Sequence, residues 1–236
     1  MPTTDPAPFP PVPDPRPLDS PWPQMSWPVP DGTALPGATV RLTRLDPVAD
    51  ADELFDALDH DRVWAHVPWR PADPASFAEF LRVRSAEPNW HQWTVRTVRP
   101  VGDVPAGAIV GTTSYLDVVP RDARLEIGMT LYTPAVWRTT VNPEAKLLLL
   151  RYAFETLSAG RVQLKTDVRN VRSQQAIARL GAQYEGTLRR SFRREDGTVR
   201  DSVLFSITAE DWPDVRDRLS RRLELSAGTG PARPGR

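Results

Sequence analysis

The chain has 236 residues, with 30 Lys or Arg against 30 Asp or Glu, so its formal net charge is zero and no global field draws it to nucleic acid or an acidic membrane. It has no cysteine, which excludes a disulfide, a thiolate metal site and a thioester carried on a cysteine nucleophile. Its length suits one globular domain with tails, and no apolar run approaches the ~20 residues of a membrane helix.

Residues 1–36 hold proline at nearly every second or third place. This predicts an extended, polyproline-like or disordered leader that could serve as a ligand for an aromatic groove. Translation from Met25 is a further reading of that stretch. The globular domain is expected over 37–225, followed by a disordered tail over 226–236. The leader lacks the basic start and apolar run of a secretory signal, so the expected setting is cytoplasmic.

Within the domain, Thr39–Leu45 alternates apolar and polar residues, as a half-buried strand does. Asp50–Leu58 and Pro74–Arg84 carry helical spacing, the second behind Asp73 as N-cap. His91–Val98, Ala106–Val118 and Arg124–Tyr132 read as strands. In the last of these, Leu125, Ile127, Met129 and Leu131 are expected on one face, with Glu126, Gly128, Thr130 and Tyr132 on the other. Pro143–Leu157 reads as an apolar helix with Asn142 as N-cap and Pro143 at its first position. Arg161–Val168 is a strand, and Val171–Leu180 a helix closed by Gly181. Two strands then flank the Glu195-Asp196-Gly197 turn, and Asp211–Leu225 is an amphipathic closing helix. The fold class expected is α+β, an α/β sandwich: a mixed, mostly antiparallel sheet of about seven strands with helices on both faces.

Two strand-to-helix junctions carry the chemistry. The first is Trp137-Arg138-Thr139-Thr140-Val141-Asn142 ahead of Pro143-Glu144-Ala145. A helix start leaves N–H groups unpaired and suits pyrophosphate, although an ordinary capped helix would look the same. The second is Asn170-Val171-Arg172-Ser173 ahead of a helix ending in Leu180-Gly181; here too, Asn170 or Ser173 could simply be a cap. On the strand between, Glu126 is a lone carboxylate whose burial would raise its pKa toward that of a useful base; a salt bridge to Arg124 or another arginine, or an exposed position, is the alternative. Val63–Trp69 holds Trp64, His66 and Trp69, which could wall an acceptor or close a core. His60, His66 and His91 show no ligand spacing, so no metal is expected. The arginines at 189, 190, 193, 194, 216, 218, 221 and 222 form basic patches that could hold a phosphate or line a solvated surface.

With these junctions, the stretch from Thr39 to about Trp212 resembles the GNAT superfamily of N-acetyltransferases. Within it, LEIGMTLYTPAVWRTTVNPEAKLLLLRYAFETL and LKTDVRNVRSQQAIARLGA resemble the RimJ/RimL branch, which acetylates protein amino termini. The glycine positions of that family's phosphate loop hold Thr140 and Asn142, and its Gln or Arg position holds Trp137. The resemblance implies acetyl-CoA as cosubstrate. It would lie against the main chain of Ile127, Met129 and Leu131, the loop of Trp137, Arg138, Thr139, Thr140, Val141 and Asn142, and the side chain of Asn170. It further implies Glu126 as base, Ser173 as proton donor to the departing thiolate, and an acceptor site near Trp64, His66 and Trp69. The implied acceptor is a protein N-terminus; a small amine, or a non-catalytic acyl-CoA-binding module, is the alternative. A homodimer is compatible with this resemblance.

Overall fold

In the computed structural model, residues 10–14, 21–67, 69–194 and 196–228 are described. Eight strands form one sheet in the order β1-β2-β3-β4-β5-β6-β8-β7. They are β1 (Ala34–Pro36), β2 (Val40–Arg44), β3 (His91–Thr97), β4 (Ile109–Val119), β5 (Arg124–Tyr132), β6 (Arg161–Asp167), β7 (Gln183–Arg193) and β8 (Val199–Thr208). The helices are α1 (Ala51–Leu58), α2 (Asp61–Trp64), α3 (Pro74–Ser85), α4 (Val141–Arg151), α5 (Val171–Leu180) and α6 (Trp212–Gly228). All neighbouring strands are antiparallel except β5 and β6, which run parallel. The mixed sheet with helices on both faces is as expected, with β1 the added strand.

Each face has its own core. On one, α4, α5 and α6 cover Leu125, Ile127, Val162, Leu164 and Phe205. On the other, Leu54 and Leu58 of α1, Trp64 of α2, and Phe77 and Leu81 of α3 meet Ile109 and Leu131. Local capping agrees with the sequence at two helices. Asp73 accepts from the Ser76 N–H at 2.7 Å while Ser76 reciprocates, and Gly181 closes α5 at φ +96°.

Three expectations require correction. Residues 21–36 are not a loose leader. The Ser26 N–H donates to the Leu157 carbonyl at 2.8 Å, Trp27 Nε1 donates to that of Pro88 at 2.8 Å, and Val29 and Leu35 are buried in the first core. Proline forbids regular ladders, but the tryptophan and aliphatic side chains between the prolines supply apolar area that an extended chain can still bury. Residues 1–9 and 15–20 lie outside the described residues. At the other end, α6 continues through Ser226, whose Oγ donates to the Arg222 carbonyl, so the boundary expected at 226 falls inside a helix; residues 229–236 lie outside the described residues.

The third correction concerns β5. Its alternation inverts at Met129, which sits at φ +45°. Thr112 pairs with Leu131 and Ser114 with Gly128, so Met129 and Thr130 together oppose Thr113. This is a β-bulge, and one extra residue flips every later side chain to the opposite face. Leu125 and Ile127 therefore share the α4 face with Tyr132, while Leu131 joins the α1 and α3 core. Thr130 also turns to α4, where its hydroxyl lies 2.8 Å from that of Thr113 and 2.6 Å from Lys146 Nζ.

Candidate active site

The parallel pairing of β5 with β6 covers only Arg124 with Arg161, Leu125 with Val162, and Glu126 with Gln163. Past Glu126 the two strands part, although β5 continues to Tyr132 and β6 to Asp167. Parting leaves the main-chain groups on that edge of β5 without strand partners, and such groups must find other hydrogen bonds. The result is a cleft in mid-sheet, with the bulge at Met129 on one wall.

Glu126 stands at its apex, 3% exposed. Its Oε2 accepts from Lys165 Nζ at 2.8 Å and from Gln163 Nε2 at 3.0 Å. Burial pushes the carboxyl above the ordinary carboxylate range, and the Lys165 ammonium moderates that rise. The salt bridge considered for Glu126 thus exists, but its partner is a lysine. A cavity of about 10 Å³ adjoins the carboxylate, bordered by Asp117, Arg124, Leu125, Arg161 and Gln163. Lys165 and Lys146, the chain's only lysines, both lie inside the fold: one is salt-bridged, the other bonded to two threonine hydroxyls behind the bulge.

At the first junction α4 begins at Val141, earlier than Asn142 as N-cap would allow. The N-cap is Thr140, which makes no side-chain cap hydrogen bond; just before it, the Thr139 hydroxyl accepts from the Val141 N–H at 3.3 Å and donates to the Val136 carbonyl at 2.6 Å. Asn142 and Pro143 fall inside the first turn, where proline's missing N–H costs nothing. Arg138 adopts φ +65°, a conformation for which glycine is the ordinary residue. A cavity of about 220 Å³ opens here, lined by Arg138, Thr139, Thr140 and Pro143 with Arg222, Leu223 and Ser226 of α6. Glu144 has a structural task that sequence reading missed. Its carboxylate accepts from the N–H groups of Ala38, Thr39 and Val40 at 2.7–2.8 Å, tying the β1–β2 turn to α4. Gly37 permits this approach, since a Cβ there would lie 2.8 Å from Glu144 Cδ.

At the second junction Asn170 is the N-cap of α5, its Oδ1 accepting from the Ser173 N–H at 3.0 Å. That is the capping alternative realised; it leaves the Ser173 hydroxyl near the helix start. Between the junctions, the guanidiniums of Arg172 and Arg62 lie 3.5 and 4.8 Å from the centre of the Trp137 ring, and Trp137 Nε1 donates to the Tyr132 carbonyl. These contacts join α2 to both junctions. Nothing in the sequence paired these three residues.

The aromatic trio expected to wall an acceptor divides. Trp64 is a core residue: its Nε1 donates to the Leu58 carbonyl at 2.8 Å, and its ring meets Trp69 and Phe77 edge-on. Trp69 stacks on Phe80 at 4.5 Å. His66 instead lies in the field of Asp167, Arg169, Arg172 and Arg194, with burial holding its pKa down and its Nδ1 buried without a partner among the described residues. Asp167, at the end of β6, is gripped by Arg194 at 2.7 and 2.9 Å. Burial works against its charge, but that grip outweighs it and holds the carboxyl at about 2.

A strand pair that parts at a buried carboxylate, between two helix starts, is a cleft shaped for an extended ligand. A family model described as "Acetyltransferase (GNAT) domain" matches residues 40–183. The chain belongs to the GNAT acetyltransferase family. Within that family, a solved structure from T. thermophilus, described as an acetyltransferase, is 36% identical, covers 84% of this chain and all of its own, and superposes with a TM-score of 0.73. The uncharacterized N-acetyltransferase YoaA of Bacillus subtilis (strain 168) is 27% identical over 99 residues, which is 42% of this GNAT chain and 55% of that protein. The match thus spans about half the length of this curated relative. Mycobacterium smegmatis RimJ, solved in complex with CoA-disulfide, shares the fold at a TM-score of 0.65 with 21% identity, covering 78% of this chain and 88% of its own.

Proposed function

We propose that the protein transfers an acetyl group from acetyl-CoA to a primary amine, the amino terminus of a protein or peptide, directly within a ternary complex. The observation that carries this is the parting of β5 from β6 at buried Glu126. The unpaired edge of β5 from Ile127 to Leu131 would receive the pantetheine amides, and the start of α4, with Arg138 and Thr140, the pyrophosphate. A RimJ of the same fold, solved in complex with CoA-disulfide, supports a CoA ligand for this fold. The acceptor nitrogen would form its bond to the acetyl carbon as the carbon–sulfur bond breaks. Glu126 would take the ammonium proton, directly or through one water, and the Ser173 hydroxyl would supply a proton to the thiolate. Holding amine and thioester in line supplies much of the acceleration. The amino-terminal acceptor rests on the RimJ/RimL resemblance of Glu144-Ala145 and of Asn170 with Ser173.

Two measurements test this reading. Acetyl-CoA should raise the melting temperature, because a ligand that binds only the native state stabilises it by about 2.7 kcal/mol at a hundred times Kd. Radiolabelled acetyl-CoA, offered with peptide amino termini and with small amines, should label the peptides. Absence of any thermal shift at millimolar acetyl-CoA would remove the cosubstrate assignment, and labelling of small amines alone would remove the amino-terminal one.

A further inference from the structure

The face of the sheet that carries Glu126 also carries a cation with no anion in contact among the described residues. Arg200 lies on β8 opposite Phe192 of β7 and is 9% exposed. Its Nε donates to Ser202 Oγ at 3.1 Å and its guanidinium lies 5.1 Å from the Phe192 ring centre. Among the described residues no carboxylate comes within 4 Å of it. The nearby carboxylates are already engaged: Asp167 by Arg194 on both oxygens, and Glu126 by Lys165. Lys165 Nζ approaches the same Phe192 ring at 5.4 Å, so the two cations converge on one aromatic wall. A buried charge is costly unless it is paired, and a guanidinium offers five donors in a flat fork, of which one is used here.

We propose that Arg200 is an anion subsite on the acceptor face, so that the preferred acceptor is an amine that also carries a carboxylate. The inference rests on the amine-acetylating reading above and specifies its substrate. A carboxylate matches the fork in two parallel hydrogen bonds. A phosphate would bring nearly two negative charges beside Asp167 and Glu126, which already populate this face. His66, with its buried Nδ1 unpartnered among the described residues and in the field of Asp167 and Arg194, offers a second polar contact to the same acceptor. The burial of Arg200 lowers its own pKa, the penalty that an incoming carboxylate would relieve.

The test compares matched acceptors that differ in one charge. Tetrapeptides beginning with Asp or Asn place the carboxylate on a side chain, and glycine against glycinamide places it on a free amino acid. The wild type should favour the acidic member of one pair by about 10–100-fold in kcat/KM, the range for a charge-assisted hydrogen bond. Arg200→Gln should reduce that ratio to about 2 or less with the acetyl-CoA KM unchanged, and Arg200→Lys should keep part of it. Equal rates within both pairs in the wild type would overturn the subsite. So would a preference that survives in Arg200→Gln, or a rise in acetyl-CoA KM with the preference intact. Calorimetric titration of the acetylated Asp and Asn tetrapeptides into wild type and Arg200→Gln reads the same preference without turnover. If acetyl-CoA binds but no amine is acetylated, the amine reading fails, and the calorimetry alone decides whether Arg200 holds a carboxylate.

Discussion

Lys165 Nζ sits 2.8 Å from Glu126 Oε2, so the carboxylate at the apex of the cleft is buried and paired at once. The two influences oppose each other: burial raises the carboxyl's pKa and the ammonium lowers it. Glu126→Gln should depress kcat/KM by about 10²–10⁴-fold at neutral pH, the range for a general base, with the deficit shrinking as the amine deprotonates unaided at higher pH. Lys165→Met removes the lowering influence, so the acidic limb of the pH–rate profile should move to higher pH. Wild-type turnover in Glu126→Gln would make this ion pair structural.

The cap of α5 separates two roles that share one motif. Asn170→Ala deletes the acceptor for the Ser173 N–H and should destabilise the protein by about 1 kcal/mol, read by urea unfolding. Ser173→Ala keeps that N–H, so stability should hold while kcat falls, because a hydroxyl that meets the departing thiolate acts only in the transition state. Lost stability with unchanged kcat in Ser173→Ala would reverse this assignment.

Glu144 serves three amides, those of Thr39 and Val40 buried and that of Ala38 partly so. Glu144→Ala should cost on the order of 3 kcal/mol through unsatisfied N–H groups, lowering Tm on the order of 10 °C. Glu144→Gln should fall between, since one carbonyl oxygen still accepts. A Tm within 2 °C of wild type, about what a surface substitution gives, would show that the turn is held elsewhere.

His91 is buried, its Nε2 without a partner among the described residues, and its ring centre lies 4.4 Å from that of Trp93 with the planes tilted at 57°. Burial, with Arg44 next, holds its pKa at about 4, below the ordinary 6.5. Between those values the unfolded chain binds a proton that the native imidazole refuses. Stability is therefore lost as pH falls from about 6.5 to about 4, by up to about 3 kcal/mol. His91→Phe should flatten that part of the curve in urea titrations at pH 7.5, 5.5 and 4.5. An unchanged slope would place the titrating group elsewhere.

What the sequence determined by itself was local. Seven of the eight strands were legible, two of them from apolar alternation and two from the turn between them; Asp73 and Gly181 marked helix ends, and Glu126, Asn170 and Ser173 were singled out by position together with the family resemblance. Propensity, capping and apolar period act over a few residues, so they can be read in a short window. Contact across the chain decided the rest. The bulge at Met129 depends on which residues of β4 face it, so the inversion of faces after it could not be read from β5 alone. Lys165 meets Glu126, Arg172 meets Trp137, and Glu144 meets Ala38–Val40 over separations that only the folded sheet closes. The proline-rich stretch at 21–36 looked loose because proline defeats regular structure, yet its tryptophan and aliphatic side chains found a surface that exists only after the domain has formed.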